Sequence, residues 1–501
     1  MKDINLKMAK GASWLILFRL IDRSIGFFST LILARLLIPA DFGLVAMAMS
    51  ILTFVSMLSA FSFDIALIQN AKSQRYHYDT AWTCNVFFGF VNGLALLALA
   101  LPAAKFYSEP RIVAIMMVLA ANCAILGFCN IGVVAFQKDL DLHKEFFLGI
   151  IKKLCSFIVT ITLAFLLKSY WALLTGIVVS SIVGVLLSYR MHPYRPRFSL
   201  QGRKDLFYFS KWMLLNNFLI SLVHSVPGLV IGKMAGPASL GLYTVAYEIS
   251  NLPTTELVFP ISRAVFPGYS KMASDKNELR NGFLDVLSVI LLVTVPAGLG
   301  IIVLAEPFVH VLLGPKWVDT IPLIQMLGIY GILRASASNT GAVYLALGLP
   351  RLLTYLALLF LALLMPALWW LVSKYGAHGA AYAVLLAAAI QIPVGFGVVM
   401  RYLKIEIFSL VAVMWRPLSA GLIMVGAITL VRANWSAGGA APAPEYALQL
   451  LALIPFGIII YIAVALGLWL MNGRPRGGES KFIIFTGILL NFFKNTARSY
   501  Y

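Results

Sequence analysis

Three charged residues, Arg19, Asp22 and Arg23, stand inside the first long apolar stretch, KGASWLILFRLIDRSIGFFSTLILARLLIPAD, residues 10–41. In a helix entering at Lys10 and rising about 1.5 Å per residue, Arg19 lies about 13 Å along and Arg23 about 20 Å. A hydrocarbon layer about 30 Å thick would hold these charges around its midplane. Each costs about 2.5–3.5 kcal/mol there on insertion scales, so they are expected to face other helices or trapped water. At about 100° per residue, Arg19, Asp22, Arg23, Gly26 and Thr30 share one stripe, with Leu17, Ile21 and Phe28 opposite. An arginine fork pairs phosphate or carboxylate oxygens two at a time and stays protonated. Arg19 and Arg23 are therefore matched to a phosphorylated or acidic ligand, with Asp22 partly neutralising them when no ligand is bound. The competing reading is a structural Arg–Asp pair balanced by a neighbouring helix.

Other polar residues fall inside apolar runs. Arg334, in ILRASASN beside Ser336, Ser338 and Asn339, is a second candidate anion contact. Asp64 and Arg263 are candidates for an ion-pair gate at the inner mouth, although Arg263 also reads as an interfacial topology residue. Glu248 lies about 13 Å inside its span and would be protonated unless paired, which makes it a candidate for ion coupling. Lys152 and Lys153 read as cations snorkelling to the inner headgroups. Trp14, Trp212 and Trp317 read as interfacial anchors. The four cysteines, Cys84, Cys123, Cys129 and Cys155, have no metal spacing and read as small buried apolar residues. Neither a phosphate-binding loop, a nucleophile elbow nor a zinc spacing occurs, so the sequence supports no catalytic residue, resident metal or ATP hydrolysis.

The elements that must position these groups follow from composition. With 61% hydrophobic and 12% charged residues, the chain is an all-α integral membrane protein rather than a soluble one. About fourteen apolar runs are candidate transmembrane helices: 10–37, 41–68, 80–101, 111–135, 146–167, 170–189, 206–233, 239–266, 284–313, 320–347, 351–373, 377–400, 407–431 and 446–471. Pro253 and Pro260 interrupt one run, Pro296 and Gly298 another, and Arg416 is read as the inner edge of the thirteenth span. The N-terminal MKDINLKMAK followed by a long, charge-bearing run reads as an uncleaved first span. Placing the N-terminus inside puts 23 Lys and Arg residues on the inner side and 7 on the outer. Most of the net charge of +19 therefore sets topology, with both termini inside, and does not call for nucleic acid.

A repeat at an offset of 198 organises the chain. LARLLIPADFGL, 33–44, aligns with IGKMAGPASLGL, 231–242, and the same offset carries Trp14 onto Trp212. Six spans separate the copies, so both have one orientation, and a substrate path is expected between two parallel-repeat six-helix lobes. The expected division is a lobe at 1–190, a basic, proline-containing linker and hinge at 191–205, and a second lobe at 206–403. Two further helices follow at 404–475, and 476–501 is an interfacial tail whose KFIIFTGILLNFFKNTAR is too short to span. The offset carries Arg19, Arg23, Gly26 and Thr30 onto Asn217, Ser221, His224 and Gly228. The second lobe is thus expected to answer the cationic stripe with a neutral polar one.

The motifs GASW, LARLLIPADFGL, FQKDLDL (136–142), GLYTVAYEISNLP (241–253), FPISRAVFPGYSK (259–271) and GPKW (314–317) resemble the Wzx-type oligosaccharide flippases. These belong to the multidrug/oligosaccharidyl-lipid/polysaccharide exporter superfamily, and the similarity is greatest to its colanic acid exporter branch. It covers roughly residues 10–400. The resemblance implies a secondary transporter in the bacterial inner membrane. Such a protein moves undecaprenyl-diphosphate-linked oligosaccharide from inner to outer leaflet by alternating access. It implies no cofactor, leaves coupling to H+ or Na+ open, and fits partners among membrane lipids and polysaccharide polymerase, chain-length or export proteins. Two other functions compete. A drug/cation antiporter would favour an acidic cavity, and a membrane glycosyl polymerase or ligase would need catalytic groups on outer loops, which are short here.

Overall fold

The computed structural model describes the chain outside residues 1, 60, 62, 70–73, 140, 436–442, 475–476 and 481–501. Side chains are also left undescribed through most of 2–16 and 204–220 and at scattered positions in 58–69 and 257–267. The described residues contain helices and no strand. In order these are α1 (Lys2–Leu36), α2 (Pro39–Ser56), α3 (Phe63–Gln69), α4 (Arg75–Tyr107), α5 (Arg111–Gly127), α6 (Val134–Lys138), α7 (Leu142–Leu167) and α8 (Trp171–Met191). They continue with α9 (Arg203–Pro253), α10 (Phe259–Met272), α11 (Lys276–Val303), α12 (Ala305–Phe308), α13 (Thr320–Ala346), α14 (Pro350–Leu403), α15 (Ile407–Trp435) and α16 (Ala443–Met471). Ten described helices are long and apolar enough to cross a membrane, or eleven if the bent pair Arg111–Gly127 and Ile131–Lys138 forms one span. The charge-bearing α1 is not among them, and two of the ten contain a break, at Gly236 and at Gly376. Large apolar side chains stand outward along the spans, such as Leu101 at 66% exposure, Leu166 at 73% and Leu451 at 76%. Such a surface suits lipid, and the backbone inside it is satisfied by helical hydrogen bonds.

The chain divides into two compact units, Met1–Gly241 and Leu242–Tyr501. In the first, α1 turns into α2 at Ile38, whose extended backbone (φ −103°, ψ 159°) precedes Pro39 at the first helical position. Asp41 fixes this corner: Oδ2 accepts the Ile38 N–H at 3.2 Å and Oδ1 accepts the Tyr170 N–H at 3.3 Å. The span expected at 41–68 ends at Ser56, so Asp64 sits on the separate short helix α3.

Within the linker expected at 191–205, residues 192–202 lie outside the helices and form a strap fastened across the start of α4. Asp79 accepts the Tyr194 hydroxyl at 2.6 Å and the Arg197 N–H at 2.8 Å. Thr80 accepts from the Gly202 N–H and Thr83 from the Ser199 N–H, both at 3.0 Å. Phe198 packs on Trp82 at 4.9 Å between ring centroids. Burial, with Asp79 beside it, raises the Tyr194 phenol above its ordinary range, so it stays a donor. Hydrogen bonds to a charged acceptor contribute about 1.5–3 kcal/mol each. Asp79→Ala is therefore expected to speed tryptic cleavage after Arg197 by about tenfold or more in the folded protein, read by timed digestion.

In the second unit α9 ends at Pro253, a wide π turn covers Thr254–Val258, and α10 follows with Pro260 in its first turn. By contrast α11 runs through Pro296 to Val303 without a break in its assignment. The core gathers Tyr269, Phe283, Leu287, Leu291, Val295, Val343, Tyr344 and Val399. Trp317 is fully buried, which corrects its reading as an interfacial anchor. Trp14 packs on Phe146 at 4.8 Å, and the Trp212 side chain lies outside the described residues.

The last two helices are tied in by charges. Arg432 pairs with Glu306, which also accepts the Tyr446 hydroxyl at 3.3 Å, and His310 stacks on Tyr446 at 4.6 Å. Arg416, expected at a span edge, is instead buried. The chain reverses after α16 at Gly473 and Arg474, and the Gly478 N–H donates to Ser288 Oγ at 2.7 Å. Glu479 then comes within 3.3 Å of Arg416 Nε, the two side chains being 2% and 4% exposed. They meet at ion-pair distance without hydrogen-bond alignment. The KFIIF tail beyond lies outside the described residues. Removing one member of a buried pair leaves a bare charge at a cost of about 3–5 kcal/mol, whereas replacing both is close to neutral. Glu479→Gln is expected to lower the melting temperature of the purified protein, and Arg416→Met with Glu479→Leu to restore it.

Candidate functional site

α1 brings Arg19, Asp22 and Arg23 within about one turn, and α7 packs along it, with Phe18 and Trp14 meeting Phe146. The described ion pair of Asp22 is with Lys153 on α7, Nζ to Oδ1 3.2 Å, at 33% and 34% side-chain exposure. This overturns the reading of Lys153 as a cation reaching for headgroups. Lys153 runs over Gly26, where a β-carbon would stand 3.5 Å from its Nζ, and Lys152 lies across Gly184 of α8. Arg19 is half-buried and Arg23 exposed on the same stripe. Asp22 and Lys153 thus pair across two helices, and Arg19 and Arg23 share the α1 stripe with Asp22, residue types suited to a phosphate or carboxylate.

The neutral stripe expected on α9 falls at its residues 217–228. Ser221 is half-buried and His224 exposed, while the Asn217 side chain lies outside the described residues. Gly228 is taken up by helix packing instead, since a β-carbon there would stand 2.2 Å from Ser50 Oγ on α2.

In the second unit, Arg334 on α13 is held by α9: Nη1 donates to the Tyr247 hydroxyl at 2.7 Å and to Asn251 Oδ1 at 3.4 Å. Tyr243 stacks on Tyr247 at 6.0 Å and Tyr247 packs against Tyr330 at 6.4 Å. Both acceptors are neutral, so these bonds orient the Arg334 charge without cancelling it. The other polar residues of ILRASASN serve the fold. Asn339 accepts the Tyr269 hydroxyl at 2.9 Å and donates to the Phe283 carbonyl at 3.1 Å, and Ser336 and Ser338 bond back to Leu333 and Ala335 carbonyls. Glu248 is exposed beside Tyr247, Asp64 is exposed on α3, and the Arg263 side chain lies outside the described residues.

Sequence reasoning missed Lys153, Tyr247 and Asn251 as members of these clusters. Tyr247 and Asn251 are four apart in a helical run, a spacing that puts both on one face and was the available signal.

An all-α multi-pass membrane protein with cations held inside its helix packing is the class these observations define. Its fold is shared with solved transporters. The lipid II flippase MurJ in an inward closed conformation superposes with a TM-score of 0.72 at 15% identity, over 91% of this chain and 99% of that one. An inward-facing multidrug resistance MATE family transporter of the MOP superfamily gives 0.61 at 15% identity, over 76% and 94%. The chain belongs to the family described as Polysaccharide biosynthesis protein, which matches residues 32–322. It is 26% identical to the lipopolysaccharide biosynthesis protein WzxC of Escherichia coli K12, over 69% of this chain and 71% of that one. It is 26% identical to the teichuronic acid biosynthesis protein TuaB of Bacillus subtilis, over 60% and 63%. The succinoglycan biosynthesis transport protein ExoT of Rhizobium meliloti is 24% identical, over 65% and 67%.

A one-third-exposed ion pair is partly screened, so its coupling energy is expected to be small. A double-mutant cycle on Asp22→Asn and Lys153→Met, read by thermal unfolding, should give about 1 kcal/mol or less. Transport should fall much further than stability in Lys153→Met if its charge meets the ligand.

Proposed function

We propose that the protein is a flippase, a secondary transporter that moves polyprenyl-diphosphate-linked oligosaccharide from the inner to the outer leaflet for polysaccharide biosynthesis. One observation carries the reading: Lys153 of α7 pairs with Asp22 of α1, on the helix stripe that also bears Arg19 and Arg23. The diphosphate of such a lipid is the group that must be shielded on its way through hydrocarbon. Arginine forks and an ammonium supply that shielding, and the ligand replaces Asp22 as counter-charge. Family membership and relatives named for lipopolysaccharide, teichuronic acid and succinoglycan biosynthesis support a saccharide cargo. The MurJ-like fold supports alternating access.

The finer assignments belong to the same proposal. Six-helix lobes at 1–190 and 206–403 are supported by chain breaks at positions that the repeat relates, Ile38 and Gly236. Arg334, with Ser221, His224 and Asn217, would contact cargo. Glu248 would couple transport to H+ or Na+, and Asp64 with Arg263 would gate the inner side. Both termini would lie in the cytoplasm. Polysaccharide polymerase and chain-length or export proteins would receive the cargo outside. A drug/cation antiporter fits less well, because the charged residues read inside the spans include Arg19, Arg23 and Arg334 against Asp22 and Glu248.

Arg19→Ala with Arg23→Ala is expected to abolish surface polysaccharide without lowering membrane abundance. The purified parent should flip a fluorescent polyprenyl-diphosphate disaccharide in vesicles, and the variant should not. Full export by the double variant would reject the cationic path, and sugar transfer without flipping would reject the transporter.

A further inference from the structure

The two copies of the repeat meet at their own chain breaks. The break before α2 falls at Ile38, and α9 breaks at Gly236 (φ 80°, ψ 178°), which is Ile38 plus 198. A proline opens the helix after each break, Pro39 and Pro237, and a glycine follows four residues later, Gly43 and Gly241. These four residues interlock reciprocally. A β-carbon on Gly43 would stand 1.7 Å from the Pro237 carbonyl oxygen, and one on Gly241 would stand 1.8 Å from the Pro39 carbonyl oxygen. The same carbon on Gly241 would lie 3.1 Å from the Gly43 nitrogen. Each glycine therefore presents a Cα hydrogen to a carbonyl of the other copy, and no other residue type fits either position.

The contact is lined by buried apolar side chains. Leu44, Met47 and Leu240 around it are buried, as is Leu37 just before the first break. Backbone approach and apolar packing hold the two segments face to face. Below it the pair stays close, with Gly232 of α9 over Met47 of α2 and Gly228 over Ser50. Asp41 binds Ile38 and Tyr170, so the α1–α2 corner is anchored to the start of α8 and moves with it. The second segment continues directly through Gly241 into α9, whose later turns hold Tyr247 and Asn251 at Arg334.

We propose that Pro39–Gly43 and Pro237–Gly241 form a dyad-related backbone seal at the outer ends of the two repeats, closed in this conformation and parted when the carrier opens outward. The proposal rests on the transporter reading for its role in the cycle and on the geometry for the closure itself. Reciprocal backbone approach of glycine to proline carbonyl suits such a seal. A carrier that visits both states needs them close in free energy, and cargo shifts the balance only by its differential affinity.

Two measurements test this. In a version with the four native cysteines replaced by Ala, a single Ala40→Cys is labelled from outside intact cells with a membrane-impermeant maleimide. Adding Gly43→Ala and Gly241→Ala is expected to speed labelling by about tenfold, because the methyl groups forbid closure. Unchanged labelling of a normally abundant variant would overturn the seal, whatever the protein carries. Should the alanine variant fail to accumulate, the second measurement decides. Ala40→Cys and Ala238→Cys are joined by a short, reducible bis-thiol reagent in vesicles that flip the fluorescent polyprenyl-diphosphate disaccharide. Flipping should stop on bridging and return on reduction, while either single cysteine treated alike keeps its rate. Undiminished flipping by the bridged protein would overturn the gate and leave the transporter reading intact. Absence of flipping before bridging would count against the transporter reading, and the labelling result would still judge the seal.

Discussion

A charge placed in hydrocarbon must find its counter-charge or its hydrogen-bond partners within the protein, and this constraint governs the molecule. Asp22, on the stretch that the sequence reads as the first span, is the clearest case. Its carboxylate sits in the middle of α1, and the helix alone offers only the arginines that share its stripe. Packing α7 against α1 delivers Lys153 to the Asp22 carboxylate, so the pair is made by two helices together. The structure meets the same problem differently elsewhere. Arg334 receives neutral oxygens from Tyr247 and Asn251, whereas Arg416 receives a full carboxylate from the returning chain. A charge met by neutral oxygens is oriented, whereas one met by a carboxylate is compensated, which is the physical difference between Arg334 and Arg416.

The backbone obeys the same rule at its breaks. A helix interrupted within lipid exposes N–H and carbonyl groups, and those ends have to be covered. At Ile38 the Asp41 side chain accepts the freed N–H, and Pro39 has none to satisfy. At Gly236 the left-handed φ lets the chain turn and resume at Pro237. Carbonyls of both prolines then face a glycine of the other copy, so each break helps to cover its counterpart. The same economy holds in the strap after α8, where Asp79, Thr80 and Thr83 of one helix supply acceptors to an extended segment that has no strand to pair with.

Much of this was legible beforehand because it depends on periodicity along one chain. The cationic stripe of α1, the repeat and the paired prolines are properties of spacing. Less legible was which residues of a polar run serve function. In ILRASASN all the polar groups look equivalent, yet Asn339 bridges Tyr269 to Phe283 while Arg334 turns to α9. Trp317 reads as an anchor by type and is fully buried in fact. Arg416 reads as an edge because a charge usually marks one, and the segment that compensates it lies sixty-three residues downstream.

By itself, then, the sequence determined an all-helical membrane protein, the face of α1 that carries charge, and the duplication that sets the chain breaks. Apolar run length, the 100° helical step and identities in register are local or one-dimensional quantities, and they survive translation into structure unchanged. Tertiary structure alone decided that Lys153 answers Asp22, that Tyr247 and Asn251 orient Arg334, and that Gly43 and Gly241 close on each other's prolines. Those outcomes depend on the rotation and stagger of one helix against another. A shift of a few ångströms exchanges one neighbour for the next without altering any pattern along the chain.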